Sequence, residues 1–248
     1  MSAYDDLILT DNPALYLPLD GSTTSADGRT ATVHGSPAVQ AGALPNGDTA
    51  VVFDGSTTQW IELPDSADLS VSTTGALTVE AWLRPDALTM PHTEGTGYVH
   101  WLGKLTYDTT NQCEWVARIY SADNTEGRSN RISGYAFNAA GGLGAGSYFQ
   151  DALTPGEWIH YALVINTTPS STYPTGYTKL YRDGVLRDQD SLSGYSIVPT
   201  DTTSPMRIGS ADLRGFLRGA VAKVAVYPVE LAASQLAAHH SSMLVGQH

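Results

Sequence analysis

An Asp-Gly pair at 183–184 separates two short apolar segments in the run KLYRDGVL (179–186). Asp-Gly in this setting is the strongest short-range sequence signal for a β-hairpin with a tight two-residue turn. Three further fragments precede it in the chain: Phe53-Asp54-Gly55, LTVEAWLRP (77–85) and GEWIHYALVIN (156–166). Each is typical of a β-strand with its turn. The chain is therefore predicted to consist largely of paired antiparallel strands.

The segment 77–83 shows how these strands are oriented. Apolar residues occupy every second position, whereas Thr78, Glu80 and Trp82 occupy the positions between them. A period of two gives a strand with one face toward the core. Turn signals, including 24 glycines and 13 prolines, recur along all 248 residues and indicate about a dozen strands in a single domain. Residues 1–12 are predicted to form an N-terminal arm, and residues 229–248 a C-terminal helix and tail.

Composition excludes several classes of partner. The formal net charge is −12, and such a surface repels a phosphate backbone, so no nucleic acid partner is expected. There is no run of 18 apolar residues, so no membrane insertion is expected. The first residues, MSAYDDLILTDNP, lack the basic and apolar regions of a signal peptide, and none is predicted.

The ordered fragments, together with MRIGS (206–210) and GAVAKVAVYPVEL (219–231), resemble the laminin-G-like domain of the concanavalin A-like lectin/glucanase group. The resemblance covers roughly residues 13–240. It implies an all-β fold: an antiparallel two-sheet jelly-roll sandwich, concanavalin A-like, with a short C-terminal helix. The same fold carries lectins, adhesion modules, virion proteins and hydrolases, so it does not by itself assign a function.

The sequence offers no convincing catalytic constellation. Glycoside hydrolases use a pair of carboxylates flanking the scissile bond, and the Glu-x-Asp-x-x-Glu signature of the laminarinase-like branch is absent. Glu80 has no carboxylate two positions away. Asp188 and Asp190 have that spacing but follow the hairpin directly, which favours a solvated acidic turn. The arginine-rich and Gln-x-His strands of alginate lyases are also absent, so the protein is predicted not to be an enzyme.

Calcium is the cofactor that the resemblance suggests, because hard cations prefer carboxylate and carbonyl oxygens. Asp20 and Asp27, in the loop LDGSTTSADG, are the candidate ligands. Relatives carry a carboxylate pair in the last strand, where this chain has Ala222 and Lys223. The sequence therefore establishes no cofactor, and calcium is the one candidate.

A glycan-binding groove is the second candidate site. Protein–sugar contacts combine aromatic faces with polar side chains that bind hydroxyl groups. Strand alternation places four such side chains on one face, and two further aromatic residues are expected at the adjoining rim. The predicted glycan-binding residues are Arg118, Tyr120, Arg131, Tyr135, Trp101 and Tyr148. In the alternative, these tyrosines pack against loops or against a neighbouring subunit.

The opening segment, Tyr4 through Leu19, resembles the start of laminin-G-like minor tail and virion proteins of phages that infect actinobacteria. This resemblance implies a non-catalytic structural or adhesion protein on the surface of the phage particle, in the tail or capsid. Its expected partners are other virion proteins and a cell-surface glycan, and a homo-oligomer is expected. The alternatives are a secreted, extracellular carbohydrate-binding module and, after it, a glycoside hydrolase or polysaccharide lyase.

Overall fold

The computed structural model of the protein describes residues 2–108 and 110–245. Its helices are α1 (Ala3–Thr10), α2 (Val71–Thr74) and α3 (Ala233–Leu244), and its 3₁₀ turns are Ala67–Leu69 and Leu192–Tyr195. Its strands are β1 (Leu15–Leu17), β2 (Thr32–His34), β3 (Ala38–Gln40), β4 (Ala50–Asp54), β5 (Trp60–Leu63), β6 (Ala76–Pro85), β7 (Tyr98–Thr106), β8 (Gln112–Tyr120), β9 (Ile132–Ala136), β10 (Ala145–Phe149), β11 (Ile159–Asn166), β12 (Tyr177–Arg182), β13 (Val185–Ser191), β14 (Met206–Ile208) and β15 (Arg218–Tyr227).

The strands form two antiparallel sheets. The eight-stranded sheet has the order β13-β12-β11-β6-β15-β4-β3, with β1 also paired to β15, and the seven-stranded sheet has the order β10-β9-β8-β7-β14-β5-β2. This arrangement confirms the predicted all-β jelly-roll sandwich with a short C-terminal helix. Strands β3 and β10 were not predicted from the sequence.

The main hydrophobic core lies between the two sheets. The alternating apolar residues of β6, Leu77 through Leu83, are fully buried in it, as their spacing predicts. Trp115 of β8 enters the same core from the opposite sheet, and its indole nitrogen donates a hydrogen bond to the Leu69 carbonyl, at 2.9 Å. Burying side chains of this size contributes roughly 1.5–3 kcal/mol each.

The predicted hairpin joins β12 to β13 at the edge of the eight-stranded sheet. Both turn residues have positive φ, 55° at Asp183 and 74° at Gly184, as a type I′ turn requires. A Cβ atom at Gly184 would lie 2.7 Å from Ala237 Cα, so the turn packs closely against α3. Glycine is therefore needed here for conformation and for space.

Helices α1 and α3 cover the outer face of the eight-stranded sheet. Tyr4 and Ile8 of α1, and Leu236 and Met243 of α3, are buried there in a second hydrophobic cluster. The segment predicted as an N-terminal arm is thus a helix packed on its own chain, and the end of the predicted tail, up to His248, lies outside the described residues. None of the described helices is long and apolar enough to cross a membrane.

Candidate functional site: a pocket containing two arginines

A pocket of about 260 Å³ opens on the outer face of the seven-stranded sheet. Its walls come from β7 to β10, from the loops on either side of β9, and from the end of β13. The lining residues are Tyr98, Arg118, Glu126, Arg128, Tyr135, Phe137, Gly142, Leu143, Gly144, Gly146, Tyr148, Asp190 and Tyr195.

Strand pairing brings the central side chains together. Arg118 of β8 lies opposite Ser133 of β9, which in turn lies opposite Tyr148 of β10. Tyr135 lies opposite Gly146 in the next rung on the same face. Since side chains alternate along a strand, this register directs Arg118, Tyr135 and Tyr148 away from the core and into one pocket.

Arg118 is held by a chain of buried hydrogen bonds. Its Nε donates to His100 Nε2 at 2.9 Å, and His100 Nδ1 donates to Asp212 Oδ2 at 2.6 Å. Burial lowers the pKa of His100, which keeps the ring neutral and leaves Nε2 able to accept. Asp212 Oδ1 in turn accepts from the backbone nitrogens of Arg214 and Gly215. The guanidinium plane is therefore fixed from behind.

Three tyrosine rings surround the same guanidinium. The Arg118 Cζ atom lies 4.1 Å from the ring centroid of Tyr98, 4.6 Å from that of Tyr135 and 5.7 Å from that of Tyr120. Cation–π attraction stabilises such an arrangement by roughly 0.5–2 kcal/mol per ring. Among the side-chain nitrogens of Arg118, only Nε hydrogen-bonds to another described residue. Both terminal nitrogens, Nη1 and Nη2, therefore remain for a ligand.

Arg128 forms the second cationic wall. Its Nη1 donates to the hydroxyls of Tyr120, at 3.2 Å, and Tyr135, at 3.1 Å, and its Cζ lies 5.3 Å from the Tyr148 ring centroid. Burial raises the pKa of Tyr120, but Arg118 and the hydrogen bonds to its hydroxyl outweigh burial and leave that pKa below its ordinary value. The pocket wall thus carries two guanidinium groups, those of Arg118 and Arg128.

The floor and rim combine glycine with exposed apolar and aromatic groups. A Cβ atom at Gly146 would lie 2.3 Å from Tyr135 Cδ1, so the Tyr135 ring rests directly on the β10 backbone. At the rim, Leu143 is 71% exposed and Tyr195 is 53% exposed. Such groups can contact the CH face of a sugar ring.

The structure brings together half of the predicted glycan-binding residues. Arg118, Tyr135 and Tyr148 line the pocket. Tyr120 is fully buried beneath it and donates or accepts a 2.7 Å hydrogen bond with the Tyr135 hydroxyl, so it supports the wall. Arg131 does not line the pocket, because it precedes the start of β9. Arg128, from the loop before β9, occupies the wall instead.

The predicted position of Trp101 at the rim is wrong. Trp101 lies inside β7, is fully buried in the inter-sheet core, and makes an edge-to-face contact with Tyr161 at 5.2 Å. The strand already begins at Tyr98, and alternation from there directs position 101 inward. The pairing of β7 with β8 also shifts register between His100 and Leu102.

Several pocket residues were not predicted from the sequence. Arg128 and Glu126 lie in a polar loop, and Tyr195 lies in a 3₁₀ turn, where no periodic pattern indicates a side-chain direction. Leu143 belongs to the glycine-rich run 139–147, which also lacks a periodic pattern. A high glycine content next to tyrosines was the one available signal, and it does not specify a pocket.

The candidate metal ligands lie elsewhere and have protein partners. Asp20 Oδ1 accepts from the Ser22 nitrogen at 3.0 Å, and the Asp27 carboxylate contacts Ser25 and Arg29. Within residues 2–108 and 110–245, no group of three or more His, Cys, Asp or Glu side chains is placed to hold a metal ion. The structure does not test calcium binding, which stays a prediction.

The known proteins to which the chain is similar share its fold. Residues 54–237 match the family described as the concanavalin A-like lectin/glucanases superfamily. No curated protein sequence matches the chain. Two similar solved structures are the binding domain of Paraclostridial Mosquitocidal Protein 1 (TM-score 0.69, 13% identity, 94% of this chain and 53% of that chain) and the botulinum neurotoxin serotype D ligand binding domain in complex with N-acetylneuraminic acid (0.68, 13%, 98% and 53%).

A third similar structure matches over almost its whole length. It is domain 4 of AbnA, a GH43 extracellular arabinanase from Geobacillus stearothermophilus, in complex with arabinotriose (TM-score 0.60, 17% identity, 92% of this chain and 98% of that chain). By contrast, the chain spans about half the length of the two toxin domains. At these identities the likeness shows a shared fold.

Proposed function

Because the chain belongs to the concanavalin A-like lectin/glucanase superfamily, we propose that it is a non-catalytic glycan-binding protein and that it binds sugar in the pocket of Arg118 and Arg128. The observation that carries this proposal is the composition of the wall. It combines preorganised cationic donors with tyrosine faces and an exposed aromatic rim. Donors of this kind bind sugar hydroxyls and carboxylates, and aromatic rims contact pyranose faces.

The volume of the pocket suits a terminal sugar residue. About 260 Å³ lies just below the range of roughly 300–1,000 Å³ typical of small-molecule sites. The named ligands of two similar structures, arabinotriose and N-acetylneuraminic acid, are carbohydrates and agree with this proposal.

The acidic residues near the pocket support binding better than hydrolysis. Asp188 accepts hydrogen bonds from the backbone nitrogens of Tyr148, at 3.1 Å, and Gln189, at 3.0 Å, so each of its oxygens already has a protein donor. Asp190 is exposed at the rim, and Glu126 accepts a hydrogen bond from the Tyr98 hydroxyl. Both side chains are exposed to solvent, whereas the general acid of a glycosidase lies in a buried, apolar environment. A hydrolase function is the alternative, and the test below includes it.

We propose that this binding serves adhesion on the surface of a virus particle. The resemblance of the opening segment, Tyr4 through Leu19, to phage virion proteins implies that role. Host attachment needs a domain that binds a cell-surface glycan, and the proposed glycan-binding pocket would serve that purpose. A secreted carbohydrate-binding module uses the same pocket in another setting. Mass spectrometry of purified particles separates the two: recovery of the chain in particles supports the virion role, and recovery only from culture medium contradicts it.

Binding is tested with Tyr195→Ala and Tyr148→Ala, measured on a glycan array and then by calorimetry with the best glycan. Each substitution removes an aromatic face and is expected to weaken binding about tenfold or more. Tyr173→Ala is the matched control, because Tyr173 packs at a tilted angle against Tyr177 and does not line the pocket. Release of reducing sugar from the bound glycan would support the hydrolase alternative, and unchanged binding in both pocket variants would refute the site.

A further inference from the structure

The two arginines of the pocket lack acidic partners. Among the described residues, no Asp or Glu oxygen lies within 4.0 Å of the guanidinium nitrogens of Arg118 or Arg128. Other arginines of the chain do have such partners: Arg29 contacts Asp27, Arg84 contacts Asp86, and Arg207 contacts Glu62. Arg131, Arg214 and Arg218 also lack such a partner, but they are at least partly exposed, so among the described residues Arg118 is the buried arginine without a counter-ion, in a chain of net charge −12.

An arginine in this position costs stability unless something compensates its charge. Arg118 is only 7% exposed, and removing a cation from water without an anionic partner is unfavourable. The surrounding tyrosine rings offset part of that cost. The remainder is recovered when an anion enters the pocket, so the free protein holds a site preorganised for negative charge.

The geometry also indicates the shape of that anion. The bond from Arg118 Nε to His100, with Asp212 behind it, fixes the guanidinium plane. The two terminal nitrogens are then the donors left for the pocket. A guanidinium fixed in this way matches a planar carboxylate by two parallel hydrogen bonds. Glu126 and Asp190 also line the pocket, and they repel a singly charged carboxylate less than a doubly charged phosphate.

We propose that the pocket binds the carboxylate of an acidic sugar residue, with Arg118 as its direct contact and His100 as the residue that positions Arg118. This inference rests on the proposed glycan-binding function and specifies its ligand class as uronic-acid-type or other carboxylated sugars. The sugar ring then lies toward Tyr148 and the exposed rim residues Leu143 and Tyr195.

The test compares matched ligands on the wild-type protein. Oligosaccharides that end in glucuronic or galacturonic acid are paired with their methyl esters and with their carboxyl-reduced neutral forms, and affinities are measured by calorimetry. The free acid is expected to bind at least about tenfold more tightly than either neutral form, since a charge-assisted bidentate contact is lost in both. This comparison needs no mutation, so misfolding cannot obscure it.

Variants then assign the contact. Arg118→Lys keeps the charge but loses the planar fork, and it is expected to remove most of the preference for the acid over the neutral forms. His100→Gln is expected to reduce the same preference, and Tyr173→Ala to leave it intact. Thermal melts check that each variant is folded.

Each outcome has a distinct meaning. Equal affinity for acid and neutral forms overturns the carboxylate inference and leaves the proposed glycan-binding function standing. Binding of sulfated sugars without binding of uronic acids also overturns it, in favour of a sulfate site. Failure to bind any acidic or neutral glycan overturns the proposed function itself.

Discussion

Lys223 shows how a single residue determines local structure in this protein. It lies at the β-bulge in β15 with a φ of 57°, and the bulge redirects its side chain to the outer face of the sheet. There its Nζ lies 2.6 Å from Asp5 and 2.8 Å from Asp48, with the lysine side chain 1% exposed. The lysine thereby joins the last strand to helix α1 and to the loop before β4.

The first prediction concerns this buried ion cluster. Lys223→Met is expected to lower the free energy of unfolding by about 3–5 kcal/mol, because Asp5 is left buried without its cation. Urea unfolding measures the change. Lys179→Met is the matched control: Lys179 and its partner Glu230 are each 20% exposed, and Glu230 keeps hydrogen bonds from Asn166 and Tyr177, so a smaller loss is expected. Similar losses in the two variants would contradict the role assigned to Lys223.

The second prediction concerns Gly146 in the pocket floor. In Gly146→Ala the new Cβ would lie 2.2 Å from the Gly134 carbonyl oxygen and 2.3 Å from Tyr135 Cδ1, so the tyrosine ring must move. We expect a loss of about 1–3 kcal/mol in stability and at least a tenfold loss of glycan affinity. Gly194→Ala is the control, since no atom lies within 4 Å of its new Cβ. Glycan affinity that survives in Gly146→Ala would show that the Tyr135 position is unimportant.

At the scale of elements, strand β10 explains why the site was only partly predicted. The sequence predicted the strands that carry Arg118 and Tyr135, since apolar residues alternate in both. It did not predict β10, because AGSYF has small residues where a strand normally has branched ones. Pairing with β9 imposes the strand, and the small residues leave room for the Tyr135 ring. The part of the wall that β10 supplies, Gly146 and Tyr148, therefore depends on pairing with β9 and not on a local sequence pattern.

Helix α3 is attached to the sheet through a buried acid–histidine cluster. Glu80 of β6 is fully buried and accepts hydrogen bonds from His160, at 3.0 Å, from His239 of α3, also at 3.0 Å, and from Tyr227. His239 Nε2 also contacts Asp11, at 2.9 Å. Burial raises the pKa of Glu80, but the two histidines outweigh it and bring that pKa to about 2.

The third prediction is a stability maximum in mildly acidic solution. Because the Glu80 pKa falls from 4.5 to about 2, its contribution, about 3 kcal/mol, is lost as the pH drops through that interval. Burial lowers the pKa of His239, but Glu80 and Asp11 outweigh it and leave the pKa above 6.5. That contribution is present below pH 6.5 and is lost as the pH rises through the folded-state pKa.

Unfolding titrations from pH 3 to 9 are the measurement for this third prediction. In His239→Gln the decline on the alkaline side should be smaller, because no histidine at 239 changes charge between the folded and unfolded states. His34→Gln is the control. His34 stacks on Trp60 in the seven-stranded sheet, whereas Glu80 and His160 belong to the eight-stranded sheet. An alkaline decline that persists unchanged in His239→Gln would assign it to other groups.

At the scale of the whole molecule, fold and site differ in how they are encoded. Strand alternation and turn signals such as Asp183-Gly184 are local, so they predicted the paired antiparallel strands, and the family resemblance supplied their arrangement in a two-sheet sandwich. The pocket depends on which loop crosses which strand, and Arg128 in an irregular loop carries no periodic signal. The opening residues illustrate the same limit. Tyr16 donates to Asp5, and the Trp82 indole donates to the Tyr4 hydroxyl, so that motif has a role in packing.

The fourth prediction follows from that packing and concerns residues 2–12. If they complete this chain's own fold, their deletion exposes the buried surface beneath Tyr4 and Ile8 and leaves Lys223 without Asp5. We therefore expect the melting temperature to fall by well over 5 °C without a change in oligomeric state, as measured by calorimetry and light scattering. If the segment instead pairs with a neighbouring subunit, deletion will dissociate an oligomer while the protomer keeps its stability. Because the two outcomes differ in both readouts, one deletion decides between a helix that closes its own sandwich and an arm that joins two.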